Sequence, residues 1–398
     1  MQRSAIRKGT RMAFAFDRLA KLPSAEARDA SKGFSMEEIS DDSIAEYTLA
    51  VHLESQFGEL AEAERANPDL AQEIRETAKQ TLYCQYEELQ ELKPDLIVLS
   101  QGFGIHATAA RLLAARMNIP VLAFENTALK NKVVWDSISG VTVHRNMAAN
   151  FHWRHMDALT DEEVSSYCAS TIANTKKTKQ EEHASPDRQW KGKAGRRMIL
   201  YLGQVYTDSS LLYGARPGLG PEQVVTKLAE YCETNKVDLV LKLHPKEASE
   251  IGDPVTWRKY EKLTYRKLRE LERFQEWNSS DWMHIDADNQ WDTYGLIDAA
   301  SVVVTINSQA GLEAAIRKKP VITCGRCFYA NLDFTVDIHR PDDFNGALRF
   351  ALDKPMNKDQ HLAAEKFFYV FFEKYCIEKS TDALLRKIRL IARSNGFF

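Results

Sequence analysis

Leu96-Ile97-Val98-Leu99, an unbroken aliphatic run, is followed by a glycine-containing turn, a helix-forming stretch over residues 105–117 and a second apolar run at residues 119–124. A strand, a helix and a strand within roughly thirty residues close most readily as a parallel crossover unit, because parallel strands need a long connection and a helix supplies it. The spacing therefore predicts a doubly wound α/β sheet. The same order returns in a second block, with apolar runs at 198–202, 237–243, 301–305 and 320–323 and helical stretches at 221–234 and 311–317. Runs without polar alternation belong to strands covered on both faces. At 398 residues the chain is long enough to give each block its own core.

Around these blocks the chain divides into four stretches. Residues 1–93 form a charge-rich helical N-terminal region, since 44–58 and 69–92 mix Ala, Leu, Glu and Gln with few breakers and show no strand before residue 90. Residues 94–195 make an N-terminal Rossmann-like domain whose polar tail, from about 148 to 195, is read as the interdomain connection. Residues 196–350 make a second Rossmann-like domain, and 351–398 make C-terminal helices. The aromatic run Phe367 to Phe372 is read as core or interdomain packing in preference to a membrane-contact face.

Composition excludes several classes. Lys and Arg total 53 against 56 Asp and Glu, so no global basic field recommends nucleic acid as a partner. The apolar run at 12–16, behind Arg3, Arg7, Lys8 and Arg11, is too short for a secretory h-region, and no run approaches the ~20 residues that span a bilayer. Six scattered cysteines do not make a disulfide framework, and Cys324 with Cys327 is a lone pair without a second pair or clustered histidines, so neither zinc nor any cofactor is called for. A cytoplasmic protein is expected, with peripheral attachment at the inner face of the cytoplasmic membrane left open.

The chemistry-bearing residues stand where strands end. Gly102-Phe103-Gly104-Ile105-His106-Ala107 matches a dinucleotide-type turn, but no acidic residue follows cleanly in the ribose role, so a tight structural turn is the better reading. His244 follows the apolar run 239–243 directly; its imidazole and the Lys246 ammonium suit a phosphate, and a histidine that merely caps a loop is the equal alternative. Asn307 and Ser308 lie between a strand and a helix, where backbone N–H groups can hold an anion and Glu313, about one turn into the helix, can reach a nucleotide ribose hydroxyl; simple helix capping is the plainer reading. Asp208, in the loop after 198–202, suits a nucleophile or general base as well as an N-cap, and Glu125, after 121–124, is a second carboxylate in the other block.

Two such sheets facing a cleft are the plan of GT-B-like glycosyltransferases and equally of other two-domain α/β proteins. With Gln204 to Ser209, Leu243-His244-Pro245, the block Val302 to Ala314, Lys319 to Thr323 and Gly325 to Tyr329, the chain resembles the bacterial capsule polysaccharide biosynthesis proteins of the Kps S and C type over about Pro94 to Thr335. Ala123-Phe124-Glu125-Asn126 is similar to a further family segment, with Asn126-Thr127 where the family carries a glycine and an aromatic. The resemblance implies a GT-B-like transferase that moves Kdo, or a related ulosonic acid, from a CMP-sugar to a glycolipid or saccharide acceptor, alongside capsule assembly proteins. It implies Asp208 as the nucleophile of a retaining double displacement, Glu125 as acid/base, His244 and Ser308 as phosphate ligands, and Gln204, Asn307 and Glu313 lining the donor site; Lys246 is added on charge alone. A CDP-polyol phosphotransferase of teichoic-type polymers and a non-catalytic biosynthesis or export scaffold are the alternatives.

Overall fold

The computed structural model describes residues 12–14, 39–138, 151–183, 190–248 and 261–394, with positions 153, 157, 158, 191 and 194 left out. The chain forms two compact units, the first made of Met1–Arg145 with Tyr375–Phe398 and the second of Asn146–Lys374.

The first unit contains β1 (Met12–Phe14), α1 (Asp41–His52), α2 (Leu60–Ala66), α3 (Pro68–Leu92), β2 (Leu96–Ser100), α4 (Ile105–Arg116), β3 (Val121–Asn126) and β4 (Lys132–Asp136), with a returning strand, Ile377–Glu378. The sheet runs β1-β2-β3-β4 and ends on the returning strand. The expectation of an N-terminal region without a strand is corrected here, because Met12 pairs in parallel register with Leu96. Three residues show no alternation to detect, and their partner lies far along the chain. The expected parallel sheet is also only partly so, since β4 runs antiparallel to β3 and the returning strand antiparallel to β4. Residues 127–131 are too few for a crossover, and the Thr127 hydroxyl closes the hairpin, 3.0 Å from the Leu129 carbonyl and 3.2 Å from that of Lys132. The helices form as their sequences dictate. Pro68 opens α3 where its missing N–H costs nothing, and Ala71, Ile74, Ala78 and Leu82 form one buried face at three- and four-residue spacing. That face packs with Ile44 and Leu49 of α1 and Leu113 of α4 over Ile97 and Leu99.

The second unit begins with α5 (Asp161–His183), in the polar stretch read from sequence as a connection. Its signal is weak because few residues on it are apolar; Val164 and Cys168 are fully buried, and Ser165 bonds Glu365 at 2.8 Å. There follow β5 (Met198–Leu202), α6 (Ser209–Gly214), α7 (Pro221–Asn235), β6 (Asp238–Lys242), α8 (Pro245–Ala248), α9 (Leu263–Leu268), α10 (Phe274–Asn278), β7 (Met283–Asp286), α11 (Thr293–Ala299), β8 (Val302–Thr305), α12 (Gln309–Ala315), β9 (Val321–Thr323), β10 (Val336–Asp337), α13 (Phe344–Asp353) and α14 (Lys358–Tyr369). The six-stranded sheet has the order β10-β9-β8-β5-β6-β7, and every pairing in it is parallel. All residues of β5, β6, β8 and β9 are buried, as their apolar stretches require, and in β6 the burial extends to Asp238 and Lys242 at its ends. Phe367, Phe368, Phe371 and Phe372 are buried too, with Phe328 and Phe334 packed against this run. Among the described residues no helix is long and apolar enough to cross a membrane.

Candidate functional site

In the second unit the chain passes from β5 outward through β6 to β7, then returns to the other side of β5 to add β8 and β9. The strand order therefore reverses between β5 and β8. In doubly wound sheets the carboxyl ends of the strands beside such a reversal are where ligands bind. The loops leaving β5 and β8 both carry polar residues. Thr305, the last residue of β8, ties them together: its hydroxyl donates to the Leu202 carbonyl at 3.0 Å and accepts from the Ser308 amide at 3.2 Å.

Asp208 is the N-cap of α6, with the Ser210 amide 2.8 Å from Oδ1 and the Ser210 hydroxyl 2.6 Å from the same oxygen. Both bonds end on Oδ1, which leaves Oδ2 outside the cap. The cap thus occupies one oxygen of this half-buried carboxylate and leaves the other outside it. Gln204 is buried; its Nε2 donates to Ser210 Oγ at 2.8 Å and its Oε1 accepts from the Asn307 amide at 3.3 Å. Asn307 donates from Nδ2 to the Ser210 carbonyl at 2.6 Å. Gln204, Asp208 and Asn307 therefore form one hydrogen-bonded cluster whose common member is Ser210, a residue sequence reasoning missed. Its spacing, two residues beyond an N-cap aspartate, was the available signal. Gly214 lets the cluster close, because a side chain there would collide with the Asn307 amide.

Ser308 caps α12, accepting from the Ala310 amide at 3.3 Å, and the buried Tyr329 hydroxyl holds its carbonyl at 2.6 Å. Glu313 is also buried, and the Tyr294 hydroxyl, 2.7 Å away, occupies its Oε2. Burial pushes the Tyr294 phenol upward, with the Glu313 charge adding to it, so this hydroxyl stays a proton donor. His244 lies at the end of β6, next to β5, and is half-buried. The Lys246 amide approaches its Nδ1 at 3.2 Å, so Nδ1 is the acceptor and Nε2 carries the proton of the neutral ring. Lys246 itself is exposed on the four-residue helix α8. Glu125 belongs to the other unit; it sits within β3, opposite Val134 of β4, and not in a turn beyond the strand as its sequence suggests.

Two buried charged groups escaped the sequence reading. Glu247, one residue past Lys246, is 2% exposed and accepts from the Tyr206 amide at 3.1 Å and the Thr264 hydroxyl at 2.6 Å. Burial pushes its carboxyl up to about 7 against the pull of these hydrogen bonds. The same Thr264 hydroxyl oxygen lies 3.2 Å from the Gln204 carbonyl, so Glu247 and Thr264 hold the β5 loop, the turn after His244 and α9 in one arrangement. Lys242 pairs with Asp286 at 2.6 Å, and burial lowers its ammonium against the pull of that partner. Among the described residues no group of three or more His, Cys, Asp and Glu is arranged to hold a metal.

The tight turn at Gly102 and Gly104 has both glycines at positive φ, 89° and 87°, a conformation that side chains resist. Cys324 is buried and Cys327 partly so, and Trp153 of the His152 to His155 stretch lies outside the described residues. His152 is buried edge-on against Phe367, which is packing.

A parallel doubly wound sheet with polar, hydrogen-bonded loops at its switch point defines the class by fold, a doubly wound α/β protein. A model of the capsule polysaccharide biosynthesis proteins matches residues 108–372, and the chain belongs to that family. Among solved structures it is similar to two from Thermosulfurimonas dismutans. The KpsC β-Kdo 2,4 transferase is 16% identical with a TM-score of 0.46, covering 74% of this chain and 87% of that one. The β-Kdo 2,7 transferase is also 16% identical, with a TM-score of 0.42 and coverage of 74% and 82%. UDP-GlcNAc 2-epimerase from Methanocaldococcus jannaschii, in complex with UDP-GlcNAc and UDP, is 14% identical with a TM-score of 0.33, covering 75% and 82%. No curated protein matches the chain.

Proposed function

We propose that this member of the capsule polysaccharide biosynthesis family is a glycosyltransferase that moves Kdo, or a related ulosonic acid, from a CMP-sugar with retention. The observation that carries the reading is the cluster of Gln204, Asp208, Ser210 and Asn307 at the β5/β8 switch point. Asp208 Oδ2 bonds to the anomeric carbon while the bond from that carbon to the phosphate breaks and its electron pair leaves with CMP. His244 Nε2 and Ser308 receive the phosphate, Lys246 adds a positive charge at the rim, and Gln204 and Asn307 line the donor site. Glu313, buried on α12 and bonded to the Tyr294 hydroxyl, acts in this reading through Tyr294 on the shape of the pocket. An acceptor hydroxyl then displaces Asp208, and Glu125 takes its proton; that role rests on the sequence resemblance alone. The acceptor is a saccharide or glycolipid at the inner face of the cytoplasmic membrane.

Calorimetric titration with CMP, CDP, UDP and ADP tests the donor. Selective CMP binding that weakens in His244→Ala supports the reading. Preference for CDP shifts the weight to polyol-phosphate transfer, and CMP binding without turnover of CMP-Kdo shifts it to a scaffold.

A further inference from the structure

Ser210 is the residue on which the switch-point cluster converges. Its hydroxyl lies 2.6 Å from Asp208 Oδ1, 2.8 Å from Gln204 Nε2 and 3.4 Å from Asn307 Oδ1. A serine hydroxyl has one proton to give, so each neighbour must be sorted as donor or acceptor. The amides sort themselves. The backbone N–H of Asn307 donates to one end of the Gln204 amide at 3.3 Å, which makes that end the oxygen and turns the NH2 end toward Ser210. The Ser210 carbonyl receives a bond from one end of the Asn307 amide at 2.6 Å, which makes that end the NH2 and turns Oδ1 toward the hydroxyl. Ser210 Oγ therefore accepts from Gln204 and has a single proton to place between Asp208 Oδ1 and Asn307 Oδ1. The nearer, ionised acceptor takes it.

We infer that Ser210 is the positioning residue for the Asp208 nucleophile, a role that rests on the transfer reading above. Its N–H and O–H both end on Oδ1, so the carboxylate cannot rotate to exchange its oxygens without breaking both bonds, and Oδ2 stays the reacting atom. Once Oδ2 carries the sugar, the charge on Oδ1 is gone, and Asn307 Oδ1 competes for the Ser210 proton. In the second step the acceptor oxygen bonds to the anomeric carbon, its proton passes to a general base, and the electron pair of the bond to Oδ2 returns to Asp208. The Ser210 hydroxyl then meets a carboxylate whose charge is forming. A hydrogen bond to developing charge speeds the departure of that group, so Ser210 acts most strongly on release of the sugar from the enzyme.

The test compares wild type, Ser210→Ala and Ser210→Thr by CMP affinity, by the rate of CMP release from CMP-Kdo, and by intact-protein mass after rapid quenching. Ser210→Ala keeps the backbone half of the cap, and its turnover is expected to fall about 10- to 100-fold, the effect of one hydrogen bond to a charged group. Its CMP affinity should stay within a few-fold of wild type, and a protein species heavier by one Kdo residue should accumulate. Ser210→Thr, which keeps the hydroxyl, should recover most of the turnover. Wild-type turnover in Ser210→Ala, a parallel loss of CMP affinity, or equal losses in both variants would each overturn the inference while leaving the transfer reading intact. A wild-type chain that neither binds CMP nor releases it from CMP-Kdo refutes the transfer reading itself, and this inference with it.

Discussion

At the scale of single residues, the cap and the proposed chemistry of one side chain can be separated by choosing the replacement. Asp208 caps α6 through Oδ1, and asparagine is as good an N-cap as aspartate. Asp208→Asn is therefore expected to melt within a degree or two of wild type while losing about 10³-fold or more in turnover of CMP-Kdo, as deletion of a nucleophile does. Near-normal turnover would exclude the covalent route. Under the proposed transfer, His244→Ala removes one donor to the phosphate and should raise the CMP dissociation constant about tenfold, by the strength of one charge-assisted bond, with little change in stability. Of the residues named here, Asp208, His244, Asn307 and Ser308 were visible as polar positions after apolar runs, because strand ends in such sheets are where ligands bind. Ser210 and Glu247 were not. A serine in the first turn of a helix and a glutamate after a lysine look like solvated surface until the residues they bond are known: Gln204 and Thr264 from nearby stretches of the chain, and Asn307 from 97 positions away.

At the scale of elements, Glu247 couples three of them and does so with a group that titrates near neutrality. Its carboxyl is raised from an ordinary 4.5 to about 7 by burial, so between those values the folded protein holds a proton that the unfolded chain has released. Stability is then whole below about pH 4.5 and falls as pH rises toward 7, by on the order of 3 kcal/mol for this group taken alone. Glu247→Gln, which imitates the neutral acid, should flatten the decline in melting temperature between about pH 5 and pH 8; an unchanged decline would assign it to other groups. Gly311 shows the same dependence on close approach in the first turn of α12. A side chain there would strike the Tyr329 hydroxyl and stand 3.0 Å from the Thr305 methyl, both packed against the Ser308 turn. Gly311→Ala is expected to cost about 1–3 kcal/mol in urea unfolding, as overpacking of a closed core does. The existence of β5, β6, β8 and β9 followed from their apolar runs, in β6 the core Leu239-Val240-Leu241 between Asp238 and Lys242, whereas β1 and α5 escaped because three residues in one case and a mostly polar surface in the other leave almost no periodic signal.

At the scale of the whole molecule, the chain leaves its first unit at Arg145 and returns to it at Tyr375, so the second unit is an insertion in the first. The return is held by Trp135 and Tyr375, which are stacked with ring centroids 5.3 Å apart and exchange hydrogen bonds with each other's carbonyls at 2.9 and 2.8 Å. Lys132, buried in β4, pairs with Glu378 at 2.6 Å. Tyr375→Ala should destabilise the first unit by about 3–5 kcal/mol, the cost of truncating a buried aromatic. Calorimetry should show an earlier first transition with CMP affinity retained, and a single shifted transition that also abolishes binding would mean that the two units melt as one. By itself the sequence determined the class: parallel strands must be apolar on both faces and must be joined by helices, and that pattern survives in the order of residues along the chain. Only the tertiary structure decided which strands became neighbours, where the order reverses, and which polar residues meet there. Those outcomes depend on contacts between residues a hundred positions apart, such as Gln204 with Asn307, and no local pattern encodes them.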